Sequence, residues 1–188
     1  MSRRGWTAGL ILAVLLAGCS GPTNDIQGTQ MSSPQRTQQR VDWDLSVPRT
    51  PVELGGRSVD VVAAETLGVN GLDVAITLPG GDTATGSFGL VTGDTGGGAG
   101  PVRYLALATT ALPQDAADAS IDSFIERFGG DRAVVTAFLD EIRPGPATGD
   151  IAPGRTFPGD DRPGYRPALQ VRPAPTGLVV AWHFALTP

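Results

Sequence analysis

The chain has 188 residues, with 14 arginines and no lysine against 19 acids, one histidine and one cysteine. The missing lysine excludes Schiff-base chemistry and amine general bases. A single histidine with a single cysteine excludes a multi-histidine zinc site. The net charge of −5 argues against nucleic acid as a partner.

Residues 1–9, MSRRGWTAG, carry Arg3 and Arg4 and no acid, and residues 10–17, LILAVLLA, are wholly apolar. A basic segment, a short apolar segment and small residues beyond it describe an export signal. The apolar run is shorter than the roughly 20 residues a membrane span needs. It ends in Leu16-Ala17-Gly18-Cys19, which resembles the lipobox of bacterial lipoproteins at all four motif positions. The resemblance covers only the first 20 or so residues. It implies that residues 1–18 are a signal peptide and that Cys19 is lipidated and becomes the first residue of the mature chain. It also implies a lipid-anchored protein on the extracytoplasmic face of a cell membrane. Stable attachment needs more than one acyl chain, which the family is described as carrying on this cysteine. With Cys19 committed to lipid, no internal disulfide is available.

Residues 19–40 add Ser, Thr, Gln, Gly and Pro with little to bury, and read as a flexible tether. As a coil it reaches about 25 Å. A single domain is expected over 41–188. VDWDLSV (41–47) alternates Val41, Trp43, Leu45 and Val47 with polar residues, the period of a half-buried strand. SVDVVAAETL (58–67), LDVAITL (72–78), GSFGLVT (86–92) and VRYLALAT (102–109) read as further strands. The Gly-rich GDTGGGAG (93–100) fits neither nucleotide-loop spacing and precedes a strand pattern, so a hairpin loop is expected.

Ile121, Phe124, Ile125 and Phe128 fall at i, i+3, i+4 and i+7 and predict a helix. Asp115, Asp118 and Asp122 lie in its opening turns, and Gly129-Gly130 stops it. Asp131 is placed to cap a second helix, RAVVTAFLDEI, with Val134, Val135, Phe138 and Ile142 inward. ALQVR (168–172) and GLVVAWHFAL (177–186) predict a closing hairpin. In the last strand His183 shares a face with Val179, Ala181 and Ala185, opposite Trp182 and Phe184. Together these elements predict an α+β fold, a mainly antiparallel sheet of five to seven strands with a helix pair on one face.

Residues 143–167, RPGPATGDIAPGRTFPGDDRPGYRP, show no hydrophobic period. Pro-Gly recurs at 153–154, 158–159 and 163–164, the signature of type II turns. A long segment of this kind inside a compact domain is usually functional or disordered. Residues 41–142 hold 5 Arg against 15 acids, whereas residues 143–188 hold 5 Arg against 3 acids. Arg155, Arg162 and Arg166 alternate with Phe157 and Tyr165, beside Asp160 and Asp161. Guanidinium groups next to aromatic rings suit carboxylates, phosphates, sugars or a protein partner. These seven residues are the candidate binding set; a surface wrap pairing its arginines with the acidic remainder is the plainer alternative. Asp160 and Asp161 alone fall short of a calcium loop.

No G-x-S-x-G elbow accompanies His183, and the acids single out no catalytic pair. No cofactor and no metal is implied. The expected function is a membrane-anchored envelope lipoprotein that binds an envelope protein or a small anionic ligand. A carboxylate-dependent envelope hydrolase is the alternative, as is a lipid carrier with an apolar cavity between sheet and helices.

Overall fold

The computed structural model describes residues 39–66, 68–142 and 153–187. The expected signal peptide, the lipidated Cys19, nearly all of the tether, and residues 143–152 of the Pro/Gly/Arg segment lie outside them. In chain order the elements are β1 (Gln39–Asp44), β2 (Val61–Glu65), β3 (Leu72–Thr77), β4 (Thr83–Phe88), β5 (Leu90–Asp94), β6 (Tyr104–Ala108), α1 (Gln114–Phe128), α2 (Arg132–Ile142), β7 (Arg155–Pro158), β8 (Tyr165–Ala174) and β9 (Gly177–Leu186).

The class is mixed α and β and mostly sheet, but the strands form two sheets instead of the single one expected. The smaller has the order β1-β3-β4 and the larger β2-β5-β6-β9-β8-β7. All pairs are antiparallel except β1 with β3. The division passes through GSFGLVT, which reads as one strand by composition yet is the end of β4 and the start of β5. Gly89 lies between them. Its N–H donates to Ala108 O at 2.9 Å and its carbonyl accepts from Thr66 N at 2.9 Å. A Cβ there would meet the Thr110 backbone nitrogen at 3.2 Å and the Thr110 methyl at 2.9 Å. Only glycine lets the backbone pass this close while changing sheets.

One buried cluster unites both sheets and both helices. Alternate residues supply it: Val41, Trp43 and Leu45 from β1 and just beyond; Leu72, Val74 and Ile76 from β3; Leu178, Val180, Trp182 and Phe184 from β9. The Trp182 ring is its hub, with Phe88 at 5.2 Å, Phe124 at 5.8 Å and Phe128 at 5.9 Å between centroids, all edge-on. Phe128 also meets Phe184 at 5.0 Å and Tyr165 at 6.4 Å. Edge-to-face pairs of this kind add about 0.5–1.5 kcal/mol each beyond area burial.

Both helices lie where the periodicity puts them. In α1 the buried residues are Ala117, Ile121, Phe124 and Phe128. In α2 they are Val135, Phe138 and Leu139. Val134, expected inward, is 41% exposed, because the stripe runs 135-138-139-142. Asp131 caps α2, its Oδ1 accepting from the N–H groups of Ala133 at 2.9 Å and Val134 at 3.2 Å. The Gly-rich segment is the β5–β6 hairpin loop, as its spacing implies.

The described part of the Pro/Gly/Arg segment is more regular than expected. Residues 155–158 form β7, and β8 begins at Tyr165 instead of 168. Of the Pro-Gly pairs at 153, 158 and 163, only Pro163-Gly164 makes the expected turn, with Gly164 at φ 84° and Tyr165 N–H donating to Arg162 O at 3.2 Å. Gly154 and Gly159 lack the positive φ that a type II turn requires. Gly159 instead continues the β7–β8 ladder, donating to Pro167 O at 2.9 Å.

Candidate functional site: the outer face of the large sheet

The strand register assembles a second face from residues that alternate with the buried ones. One row crosses all six strands as Ala63, Thr92, Ala106, His183, Ala168 and Pro158. The next runs Val61, Asp94, Tyr104, Ala185 and Arg166. Neighbouring strands are about 4.8 Å apart and same-face residues about 7 Å apart along a strand. Tyr104 and Arg166 therefore stand about 10 Å from one another, with only the methyl group of Ala185 between them. His183, flanked by Ala106 and Ala168, forms the adjoining floor.

The result is a groove of about 460 Å³ lined by Asp94, Tyr104, His183, Ala185, Arg166 and Asp161 among others. Tyr104 is 55% exposed, although it belongs to a strand whose Leu105 and Leu107 are fully buried. On the opposite bank Arg166 Nε lies 3.5 Å from Asp161 Oδ1, both side chains in solvent. Such a pair contributes little to stability, so its groups remain able to bond a ligand. Asp94 Oδ1 accepts from the Gly96 N–H at 2.6 Å.

His183 Nε2 lies 3.4 Å from Gln170 Oε1. Burial pushes its pKa below the ordinary imidazole value, so the ring is neutral at pH 7. Among the described residues no group of three or more His, Cys, Asp or Glu is placed to hold a metal ion.

The seven candidate residues do not converge. Asp161 and Arg166 are in the groove. Phe157 and Tyr165, read as rings interleaved with the arginines, are buried at 4% and 1% exposure, and belong to the core. Tyr165 Oη donates to Asp82 Oδ2 at 2.5 Å; burial first, then this acidic neighbour, raise its pKa well above the ordinary phenol value. Arg155 stacks over Phe157 at 5.5 Å and Phe138 at 6.0 Å, a cation–π contact that covers the α2 end of the core. Asp160 and Arg162 finish α1: Asp160 N–H donates to Phe128 O at 2.8 Å and Arg162 Nη2 to Arg127 O at 3.2 Å. A cation on those last carbonyls also complements the helix dipole.

Between α1 and β9 the described residues pack the rings of Phe88, Phe124 and Phe128 around Trp182. Sequence reasoning missed Tyr104, Thr92, Ala106 and Ala168 as groove residues. The alternation in YLALA and GLVVAWHFAL assigns Tyr104, Ala106, His183 and Ala185 to outward faces, but nothing local says that strands separated by 70 residues lie side by side.

Comparison with protein-family models, with curated proteins and with solved structures finds no match to this chain.

Proposed function

We propose that the protein is a lipid-anchored module of a bacterial cell envelope that binds a saccharide ring in the outer groove of its large sheet. The observation that carries the binding half is the pairing of an exposed Tyr104 with Arg166 and Asp161 across an alanine floor. A ring-shaped polar ligand stacks its apolar C–H face on the phenol, rests an edge on Ala185 and Ala106, and offers hydroxyls to the guanidinium, the carboxylate and the neutral His183. A mostly apolar lining with a few fixed polar groups is the usual composition of such sites. The two helices and the small sheet, on this reading, all cover the opposite face of the large sheet and leave this one to solvent.

The anchor half rests on Leu16-Ala17-Gly18-Cys19. On this reading the groove works outside the membrane, within reach of the envelope polymers that would supply the ligand. Among the described residues no helix is long and apolar enough to cross a membrane. The carboxylate hydrolase has less support: of the two acids that share the groove, Asp94 is engaged by the Gly96 N–H, which leaves Asp161 without a second free carboxylate beside it for an acid–base pair.

The two halves are tested separately. Cys19→Ala should move the protein from membrane to soluble fractions and remove any acyl mass; a variant that stays with the membrane would overturn the anchor. Titration of the purified full chain with soluble envelope glycan fragments should give saturable binding that Tyr104→Ala and Arg166→Ala each weaken about tenfold, the loss of about 1.4 kcal/mol. Equal affinity in the double variant would remove the groove from the proposal.

A further inference from the structure

A second concavity lies at one end of the sheets, away from the outer groove. Its walls come from the β1–β2 connection, the turn that precedes β4, the end of the β5–β6 loop and the residues around Leu186. The volume is about 260 Å³, suited to a ligand smaller than the usual pocket occupant.

The lining divides cleanly by chemistry. Leu45, Val102 and Leu186 form an apolar floor continuous with the core. Pro48, Pro79 and Pro101 form the sides. The backbone of each proline is fixed in φ, so this wall exists before a ligand arrives and little ordering entropy is lost on binding. Gly164, from the one true Pro-Gly turn, closes the wall against Pro79; a Cβ on Gly164 would come within 2.5 Å of the Pro79 Cβ. Among the described residues the charged ones in the lining are Arg49 and Arg103, and no acid takes part.

Neither guanidinium makes a hydrogen bond or ion pair among the described residues. Arg49 is near enough to Asp44 and Glu53 to be the smallest influence lowering those carboxyls, behind the hydrogen bonds from Ser46 and Thr50. Arg49 also borders the neighbouring cleft that holds Asp42, Asp44 and Glu53, whereas Arg103 lines the end pocket alone; in a chain with 19 acids, a pocket whose described lining holds two arginines and no acid runs against the composition of the whole.

We infer that this end pocket binds a compact organic anion, with its apolar body on Leu45, Val102 and Leu186 between the prolines and its carboxylate or phosphate monoester on Arg49 and Arg103. Arginine suits both head groups, because its fork can donate two parallel hydrogen bonds to either. The site is separate from the outer groove and does not depend on it.

The test uses the full chain and three ligands that share one body: cyclohexanecarboxylate, monocyclohexyl phosphate and the neutral cyclohexylmethanol. Binding is followed by the NMR signals of the arginine Nε–H groups. At least one anion should bind at least tenfold more tightly than the alcohol and shift the signals of Arg49 and Arg103; whichever anion is tighter identifies the head group. The Arg49→Gln/Arg103→Gln variant should lose at least tenfold in affinity for it, with the amide spectrum of the core unchanged. Arg166→Ala should leave the affinity as it was, so a failed outer groove and a failed end pocket give different results. If the alcohol binds as well as both anions, or the double glutamine variant keeps its affinity, the inference is wrong.

Discussion

His183 is the one imidazole in the chain, so its titration can be followed without interference from another. Burial lowers its pKa in the folded protein. Below pH 6.5 the unfolded chain takes up a proton that the folded protein resists, so the unfolded state binds more protons and stability falls with pH. The loss begins near pH 6.5 and continues down to the folded pKa. The urea midpoint of the wild-type protein should fall between pH 7.5 and 5.5, whereas His183→Gln should remove most of that slope. An unchanged slope in the variant would show that this imidazole is not the group responsible. At the same scale, the candidate set of 143–167 was legible only in part. Arg166 and Asp161 are surface groups as their charges suggest. Phe157 and Tyr165 are not, because a row of prolines and glycines conceals the two-residue period that would have identified them as strand residues.

At the scale of elements, α1 is held less by its own propensity than by the rings that it carries to the sheet. Phe128, at 1% exposure, touches Trp182, Phe184, Tyr165 and Phe124. Its replacement by alanine leaves a cavity that no neighbour can fill, and truncations of this kind cost about 3–5 kcal/mol. Chemical denaturation of Phe128→Ala should show a loss of that size; a change below about 1 kcal/mol would mean that α1 docks by other contacts. Both helices could be read from sequence because a 3.6-residue stripe survives over about two turns, as in Ile121-Phe124-Ile125-Phe128. The passage between sheets could not, since GSFGLVT reads as one short strand and neither of its glycines, Gly86 and Gly89, is marked by sequence as the point of a break. The parallel pairing of β1 with β3 was equally hidden, since either direction buries the same alternate residues.

Across the whole molecule, β9 is the strand on which the large sheet depends. It lies between β6 and β8 with ladders on both sides and carries Val180, Trp182 and Phe184 into the core. Protection from local opening follows burial and pairing. Amide hydrogen exchange should therefore be slowest in β6 and β9 and faster by orders of magnitude in the edge strands β2 and β7; uniform protection would contradict the sheet order. The hairpin of β8 and β9 was legible because both strands keep a clean alternation around a two-residue turn. The partner of β6 was not, because its pairing spans about 70 residues and leaves no local mark.

The position of β9 also orders events in time. Until residues 177–186 are available, the large sheet exists only as β2-β5-β6 and β7-β8, two fragments with nothing between them, and Trp182 is missing from the ring cluster. Pairings that close loops of this length form slowly. A chain that is still being made therefore joins the two halves of its large sheet, and completes the ring cluster around Trp182, only when β9 arrives.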